Sequence, residues 1–202
     1  MASIPINLAV EDDLSEVVLR TIIERSNRDY HIGTAYGRTG FGYLRKTVAG
    51  WNAAARGVPF ILLTDLDQYQ CPPELISDWL RVPVHSNLIF RVAVREVESW
   101  LLADPANLAN YLSVSAALVP PACDQIPDPK AALVALARRS RSGDIRGRIV
   151  PRVGSTAKQG PDYNGCLTSF VQATWDIDAA CANSGSLRRA VNRIGNFEPM
   201  WP

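Results

Sequence analysis

The sequence is poor in the residues that build histidine or cysteine centres. It has two histidines, His31 and His85, among 202 residues, which leaves little material for a histidine-bound metal or a Ser-His-Asp or Cys-His catalytic group. Its four cysteines are widely scattered, and none has C-x-x-C spacing. We therefore expect reduced, structural thiols, and neither a disulfide framework nor a zinc site.

Long apolar runs and nucleotide-binding glycine motifs are also missing. No stretch approaches the roughly 18 apolar residues that span a bilayer, and MASIPINLAV lacks a basic region followed by a long apolar segment. The loop YGRTGFGY has neither the P-loop nor the dinucleotide-binding spacing. With 47% hydrophobic and 20% charged residues, the chain has the composition of a globular protein with one sizeable core. We expect a cytoplasmic protein that does not associate with membranes.

Strand-like apolar runs alternate with helical patterns from residue 5 to about residue 104. The predicted strands cover 5–10, 31–37, 58–64 and 87–94. The predicted helices cover 13–26, 42–56 with Gly57 as C-cap, 72–81 and 96–104. Continuous apolar strands separated by helices are typical of a parallel sheet that is covered on both faces. The sequence therefore predicts an α/β fold with a mostly parallel four-stranded sheet flanked by helices.

The pattern changes after Pro105 and becomes helical and loop-rich. Helices are predicted over 106–113 and 129–140, two closing helices over 168–182 and 186–194, and little periodicity is found in 143–165. We interpret residues 1–104 as the α/β core. Residues 105–202 are then a helical extension packed on that core, so that the two form one structural unit.

Acidic side chains follow three of the predicted strands. Asp65 and Asp67 end the run FILLTDLDQ, Glu11 ends INLAVE, and LIFRVAV is followed by REVESW. Ligands of parallel sheets bind beyond the carboxyl ends of the strands, and carboxylates are hard oxygen ligands for divalent cations. Three acidic strand ends therefore predict one metal site. The alternative is that one aspartate caps the next helix while the other is solvated.

The segment VEDDLSE offers two candidates for this site. Glu11 follows directly after a strand, and Glu16 comes about one helical turn later, so both could face the same opening. Asp12 and Asp13 crowd the start of the predicted helix, where acids are favoured whatever the function. We predict Glu11 as a functional carboxylate, with Glu16 as a second.

The segment VREVESW offers one more. A helix that begins near Glu96 places Glu98 about 200° around its axis, so only one of the two can face a metal. Glu98 is favoured because it precedes the apolar SWLLA, where a carboxylate needs a cation or a donor. We expect Glu98 to converge with Glu11, Asp65 and Asp67 in one pocket, and their repulsion predicts a basic side chain, a shared proton or a water-filled gap among them.

Basic residues are concentrated in the second half of the chain. Lys130 begins a helix after IPDP, and Lys158 lies in the loop GSTAKQG; either could neutralise charge that develops on a phosphate. The segment from residue 138 to residue 152 contains six arginines and only one acid, Asp144. They are Arg138, Arg139, Arg141, Arg146, Arg148 and Arg152. Guanidiniums and bound cations can share the phosphates of an anionic substrate, which makes nucleic acid the expected partner. The alternative is a solvated helix face and loop.

The order of these motifs resembles a known family. Strand, Glu, helix, then strand, Asp-x-Asp, helix resembles the TOPRIM domain of topoisomerases, primases and overcoming-lysogenization-defect nucleases over residues 5 to about 104. The runs VEDDLSE, LLTDLDQ, FRVAVREVESWLLAD and IPDPK are more closely similar to the TOPRIM-like bacterial domain-of-unknown-function 4276 family, over nearly the whole chain. In the family pattern a Gly follows the first Glu, and a second Glu comes four residues after it. Here Asp12 replaces that Gly, and Glu16 lies five residues after Glu11.

The resemblance implies roles for the candidate residues. Glu11, Asp65 and Asp67 would bind Mg²⁺, with Glu98 as a further acid. The nuclease members also imply a late lysine, which Lys130 or Lys158 could supply. Proteins of this kind are often linked to bacterial defence against phage.

Two classes of function follow. The first is Mg²⁺- or Mn²⁺-dependent hydrolysis of nucleic-acid phosphodiester bonds, with DNA and RNA both open as substrates. The second is a non-catalytic TOPRIM-like module that senses or scaffolds a protein partner, such as one encoded in a defence operon. The altered EDDLSE motif and the uncertain lysine favour this second class.

Overall fold

The computed structural model describes residues 3–37 and 39–201. The strands are β1 (Ile4–Val10), β2 (Tyr30–Gly37), β3 (Phe60–Asp65) and β4 (Leu88–Ala93). The helices are α1 (Asp13–Glu24), α2 (Phe41–Ala54), α3 (Pro72–Trp79), α4 (Val97–Leu102), α5 (Pro105–Tyr111), α6 (Pro129–Arg138), α7 (Gly143–Ile149), α8 (Tyr163–Ala173), α9 (Ile177–Asn183) and α10 (Gly185–Gly195). Two 3-10 turns lie at Ala116–Leu118 and Cys123–Gln125.

The strands form one four-stranded sheet in the order β2-β1-β3-β4, and every neighbouring pair is parallel. The predicted α/β fold with a parallel sheet flanked by helices is therefore confirmed. In the register, Val10 at the end of β1 pairs with Leu63 of β3, and Asp65 at the end of β3 pairs with Ala93 of β4. The carboxyl ends of β1, β3 and β4 consequently meet at one edge of the sheet.

Burial explains why these runs form the central strands. All six residues of β3 are buried, which requires cover on both faces of the sheet and matches the uninterrupted apolar sequence FILLT. Helix α1 buries one stripe, including Leu14, Val18 and Ile22, at helical spacing. Aromatic side chains of α2, α3 and the sheet contribute much of the remaining core.

The chain divides into two compact units. The first contains the residues up to Val94 together with those from Arg189 onward, and the second contains Arg95–Arg188. The first unit holds the whole sheet, while α4 to α9 lie in the second. The division falls ten residues before the boundary expected from the sequence, and helix α10 begins in the second unit and ends in the first.

The second unit has a core of its own around two fully buried tryptophans. The indole N–H of Trp175 donates to the carbonyl of Trp100 at 3.3 Å, and that of Trp100 donates to Ser186 Oγ at 3.1 Å. Both indoles are therefore satisfied inside apolar surroundings, as buried tryptophans require.

Three helix predictions were wrong in detail. Helix α2 ends at Ala54 and is capped by Ala55, so Gly57 is not its C-cap. The aperiodic stretch 143–165 contains α7, which begins because the Ser142 hydroxyl accepts a hydrogen bond from the N–H of Ile145. The helix predicted over 168–182 is two helices, since Asp176 caps the backbone of α9 and starts a new helix there.

Among the described residues, no helix is both long and apolar enough to cross a membrane.

Asn87 holds the returning C-terminal segment within the first unit. It is fully buried, and its amide N–H groups donate to the carbonyls of Ala55 and Met200 at 3.1 and 2.7 Å. Its side-chain oxygen accepts from the N–H of Met200 at 2.8 Å. The Tyr30 hydroxyl adds a hydrogen bond to the carbonyl of Ile194 at 2.6 Å. One amide thus joins α2, the start of β4 and the last described residues.

We expect Asn87→Ala to lower the free energy of unfolding by roughly 1–3 kcal/mol, because buried backbone groups lose their partners. Urea unfolding followed by circular dichroism measures the change. Asn27→Ala, at an exposed position, is the matched control and should change stability little. Equal stability of the two variants would show that the Asn87 hydrogen bonds are not needed.

Candidate metal centre

Glu11 is the first residue after β1, and its carboxylate accepts hydrogen bonds from the end of β3. Its Oε2 accepts a hydrogen bond from the Thr64 hydroxyl at 3.0 Å and from the N–H of Asp65 at 3.4 Å. The pairing of Val10 with Leu63 places these groups side by side. Parallel pairing of β1 and β3 therefore brings the first predicted acid to the Asp-x-Asp segment.

Asp65 and Asp67 bring two carboxylates to the carboxyl end of β3. Asp65 is the last residue of β3 and is only 4% exposed. The N–H of Leu66 donates to the carbonyl of Ala93, so the segment stays fixed beside β4. At Asp67 the backbone turns with a φ of 48°, a left-handed conformation that aspartate adopts more readily than most residues. The strand end is thus held in place while the second aspartate turns out of the sheet.

The two aspartates could hold a metal ion together. One carboxylate oxygen of Asp65 lies within 4.8 Å of one carboxylate oxygen of Asp67. Two ligand oxygens of one cation are at most about twice a metal–oxygen bond apart, that is, about 4 Å for Mg²⁺ and about 5 Å for Ca²⁺. Carboxylate oxygens at this separation fit a divalent cation after little or no movement. The donor set is of the hard, oxygen-only kind that such ions prefer.

Glu96 lies outside the helix that the sequence predicts for it. It has extended backbone, with a φ of −138°, and it is the N-cap of α4, which begins only at Val97. The helical-wheel argument that separates Glu96 from Glu98 therefore does not apply.

Glu98 lies inside the second unit and is 2% exposed. The Tyr163 hydroxyl donates to its Oε1 at 3.3 Å, and the ammonium of Lys130 lies 3.8 Å from its Oε2. Burial, followed by the charge of Glu98, raises the pKa of Tyr163 far above its usual range, so its hydroxyl remains a donor. The buried carboxylate thus has the cation and the donor that it requires.

Lys130 is shared between two carboxylates. Its ammonium is 3.4 Å from Glu96 Oε1, and its own backbone N–H donates to Glu96 Oε2 at 3.3 Å. Lys130 is the second residue of α6, which begins after IPD with Asp128 as its cap. A basic side chain therefore lies between Glu96 and Glu98, and of the four acids expected to converge it contacts Glu98.

The other acids near α1 have structural partners. Asp12 Oδ1 accepts from the N–H of Ser15 at 2.8 Å and caps the helix. Glu16 is 8% exposed and accepts from the guanidinium of Arg20 at 2.8 Å, one helical turn away. The capping explanation thus accounts for Asp12. Among the described residues, Glu16 does not join the carboxylate oxygens of Asp65 and Asp67.

The arginine-rich segment contains two kinds of arginine. Arg148 forms ion pairs with Asp162 at 2.6 Å and Asp144 at 3.4 Å, and Arg146 donates to the carbonyl of Ser140. These two side chains hold the surroundings of α7 together. Arg138, Arg139, Arg141 and Arg152 are exposed, and Lys158 is exposed as well. Arg146 is also exposed, but its guanidinium already donates to the carbonyl of Ser140. The side chains of the first five residues are open to solvent, where an anion can reach them.

Partial burial is the main influence on the pKa of Glu11. Partial burial raises its pKa above the ordinary value of 4.5, with further increases from Asp67 and Asp12, while the hydrogen bonds from Thr64 and Asp65 act in the opposite direction. A carboxylate that resists ionisation beside other acids is the expected state of a metal-binding group without its cation.

Comparison with protein-family models, with curated proteins and with solved structures found no match. The resemblance to the TOPRIM-like family therefore stays a prediction. The acids, the lysine and the arginines of this chain are the residues that bear on its function.

We expect Glu11→Gln to stabilise the metal-free protein at neutral pH. The folded-state pKa of Glu11 lies above its unfolded value, so its contribution to stability is complete below pH 4.5 and is lost as the pH rises through the folded-state pKa. Glutamine retains an acceptor for Thr64 but never ionises. Urea unfolding in chelator should give equal stabilities at acidic pH and an advantage for Glu11→Gln that grows towards neutrality.

Glu24→Gln, at an exposed position on the same helix, controls for the removal of one negative charge. If the wild type is as stable as Glu11→Gln at neutral pH, burial does not oppose ionisation at this position.

Proposed function

We propose that this protein is a Mg²⁺- or Mn²⁺-dependent phosphodiesterase that hydrolyses nucleic acid. The observation that carries the proposal is that carboxylate oxygens of Asp65 and Asp67 lie within 4.8 Å of each other, at the strand end to which Glu11 is hydrogen-bonded. The motif resemblance to TOPRIM nucleases, and through it to anti-phage defence, points in the same direction. The exposed arginines of the second unit supply the positive charge that a nucleic-acid strand requires.

Asp65 and Asp67 would hold the ion. When bound, it would polarise a phosphate and lower the pKa of a water molecule. Glu11 is a third candidate ligand, because Thr64 and the backbone of Asp65 both bind its Oε2 and fix the direction of the carboxylate. Its raised pKa falls once a cation is near, since opposite charge favours ionisation. The protein would therefore release protons as it binds metal.

Lys130 would act on the phosphate. It would be the late lysine that the resemblance to the nucleases implies. Its pairing with Glu96 and Glu98 fixes its position, and preorganised charge of this kind stabilises a developing oxyanion. Glu98 and Tyr163 would be positioning residues, because they contact Lys130 and each other.

Replacing Asp65 and Asp67 together by asparagine should abolish tight metal binding. Loss of an outer-sphere partner already lowers metal affinity by about 10–100-fold, and loss of two ligands should exceed this. Calorimetric titration with Mg²⁺ and Mn²⁺ measures the affinity. Incubation with plasmid, single-stranded DNA and RNA measures cleavage, which should disappear with it.

Asp29→Asn, an exposed charge loss in the same unit, is the matched control and should bind metal and cleave like the wild type. Cleavage that survives in the double variant would come from a contaminant. Absence of metal binding at millimolar concentrations in the wild type would end the proposal.

The non-catalytic alternative is also favoured by one observation. The ammonium of Lys130 is already paired with the carboxylates of Glu96 and Glu98, an arrangement that stabilises the second unit without any substrate. In this alternative the acids and the lysine are structural, and the surface binds a protein partner.

Lys130→Met separates the two functions. A catalytic lysine predicts that cleavage falls by about a hundredfold while Mg²⁺ affinity is retained, because the lost group acts on the phosphate. The scaffold predicts no cleavage by the wild type and a loss of thermal stability in the variant. Lys46→Met, an exposed lysine of the first unit, should alter neither property.

A further inference from the structure

The second unit contains a cavity of about 410 Å³ that the predicted roles leave without an occupant. Helix α6 forms one wall, and the segment 151–159 forms the other. The volume lies within the range of about 300–1,000 Å³ that small-molecule sites occupy. Lys130, Arg138 and Lys158 bring positive charge to its lining, and Glu96 and Asp128 bring negative charge.

The positive charge of this cavity is in excess and is partly unpaired. Asp128 accepts a hydrogen bond from the N–H of Ala131 as the cap of α6, and Glu96 is paired with Lys130. Within the described part of the chain, Arg138 and Lys158 form neither an ion pair nor a side-chain hydrogen bond. Two cationic side chains on one cavity, each without a carboxylate of its own, favour an anionic ligand.

The rest of the lining is apolar. Ala131, Val134 and Ala135 lie on one face of α6 because they are three and four residues apart. Pro151 and Ala157 contribute from the opposite segment. Small apolar side chains leave a smooth surface against which a flat ring can pack, and base rings bind proteins through such contacts as well as through stacking.

We propose that this cavity binds one unpaired nucleotide, with its base against the alanine and valine face of α6 and its phosphate on Arg138 and Lys158. The proposal rests on the proposed function for its substrate, nucleic acid, and narrows it to strands that present an unpaired nucleotide. Because Lys130 also lines the cavity, the bound phosphate lies beside the candidate catalytic lysine. A duplex without free ends cannot place a base there unless it opens.

The test is calorimetric titration of the full chain, in chelator and at low salt, with adenosine 5′-monophosphate, adenosine and inorganic phosphate. The nucleotide should bind more tightly than either part, since it contacts both the apolar face and the cations. Arg138→Ala and Lys158→Ala should each weaken nucleotide binding by about fivefold, as expected for a partly exposed ion pair. Neither should change adenosine binding.

Ala135→Trp fills the cavity from an exposed position and should abolish binding of both adenosine and the nucleotide. Arg139→Ala, next to Arg138 but outside the lining, is the control for general electrostatic attraction. Equal effects of Arg138→Ala and Arg139→Ala, or nucleotide binding no tighter than phosphate binding, would overturn the proposal. If Ala135→Trp fails to fold by circular dichroism, the two charge variants decide.

The two proposals fail separately. Nucleotide binding in chelator without any metal binding by the wild type would remove the phosphodiesterase and leave the cavity as a nucleotide site. Metal binding that depends on Asp65 and Asp67, without nucleotide binding, would remove the cavity proposal alone.

Discussion

The parallel pairing of β1 with β3 is the constraint on which the candidate centre depends. It brings Glu11 onto Thr64 and the backbone of Asp65, although like charges in partial burial repel one another. The backbone ladder holds the strand ends whether or not the acids are compensated. Burial, followed by the charges of Asp67 and Asp12, therefore raises the pKa of Glu11, and a divalent cation is the natural means of compensating its charge.

The second unit compensates its acids in another way. There Glu98, buried beside Tyr163, and Glu96 share the ammonium of Lys130. A buried carboxylate in such a pair is costly to separate from its cation, because the charge that remains has no partner. The lysine is for this reason held in one position, which suits a group that must meet a phosphate without rearrangement.

The sequence predicts what depends on local pattern. Alternating apolar strands and helices predict the parallel sheet, and acids that follow the strands predict carboxylates at one edge of it. It fails where local backbone geometry decides a boundary. The cap at Ser142 starts α7 inside an aperiodic stretch, and the extended backbone at Glu96 leaves that residue outside α4. Partners that are distant in the chain cannot be predicted from local pattern either. The sequence does not distinguish Arg148 from the neighbouring arginines, but the structure shows its ion pair with Asp162.

The hydrogen bonds between Asn87 and Met200 have a consequence for how the protein folds as it is made. A ribosome completes all four strands more than a hundred residues before it reaches Met200. Until then the side chain of Asn87 lacks two of its three buried partners. The sheet-bearing unit therefore remains unfinished during most of translation and closes only after Arg95–Arg188 has emerged. In living cells, a chain truncated within the last helix would lack Met200. Its sheet-bearing unit, although made first, would then stay unfinished.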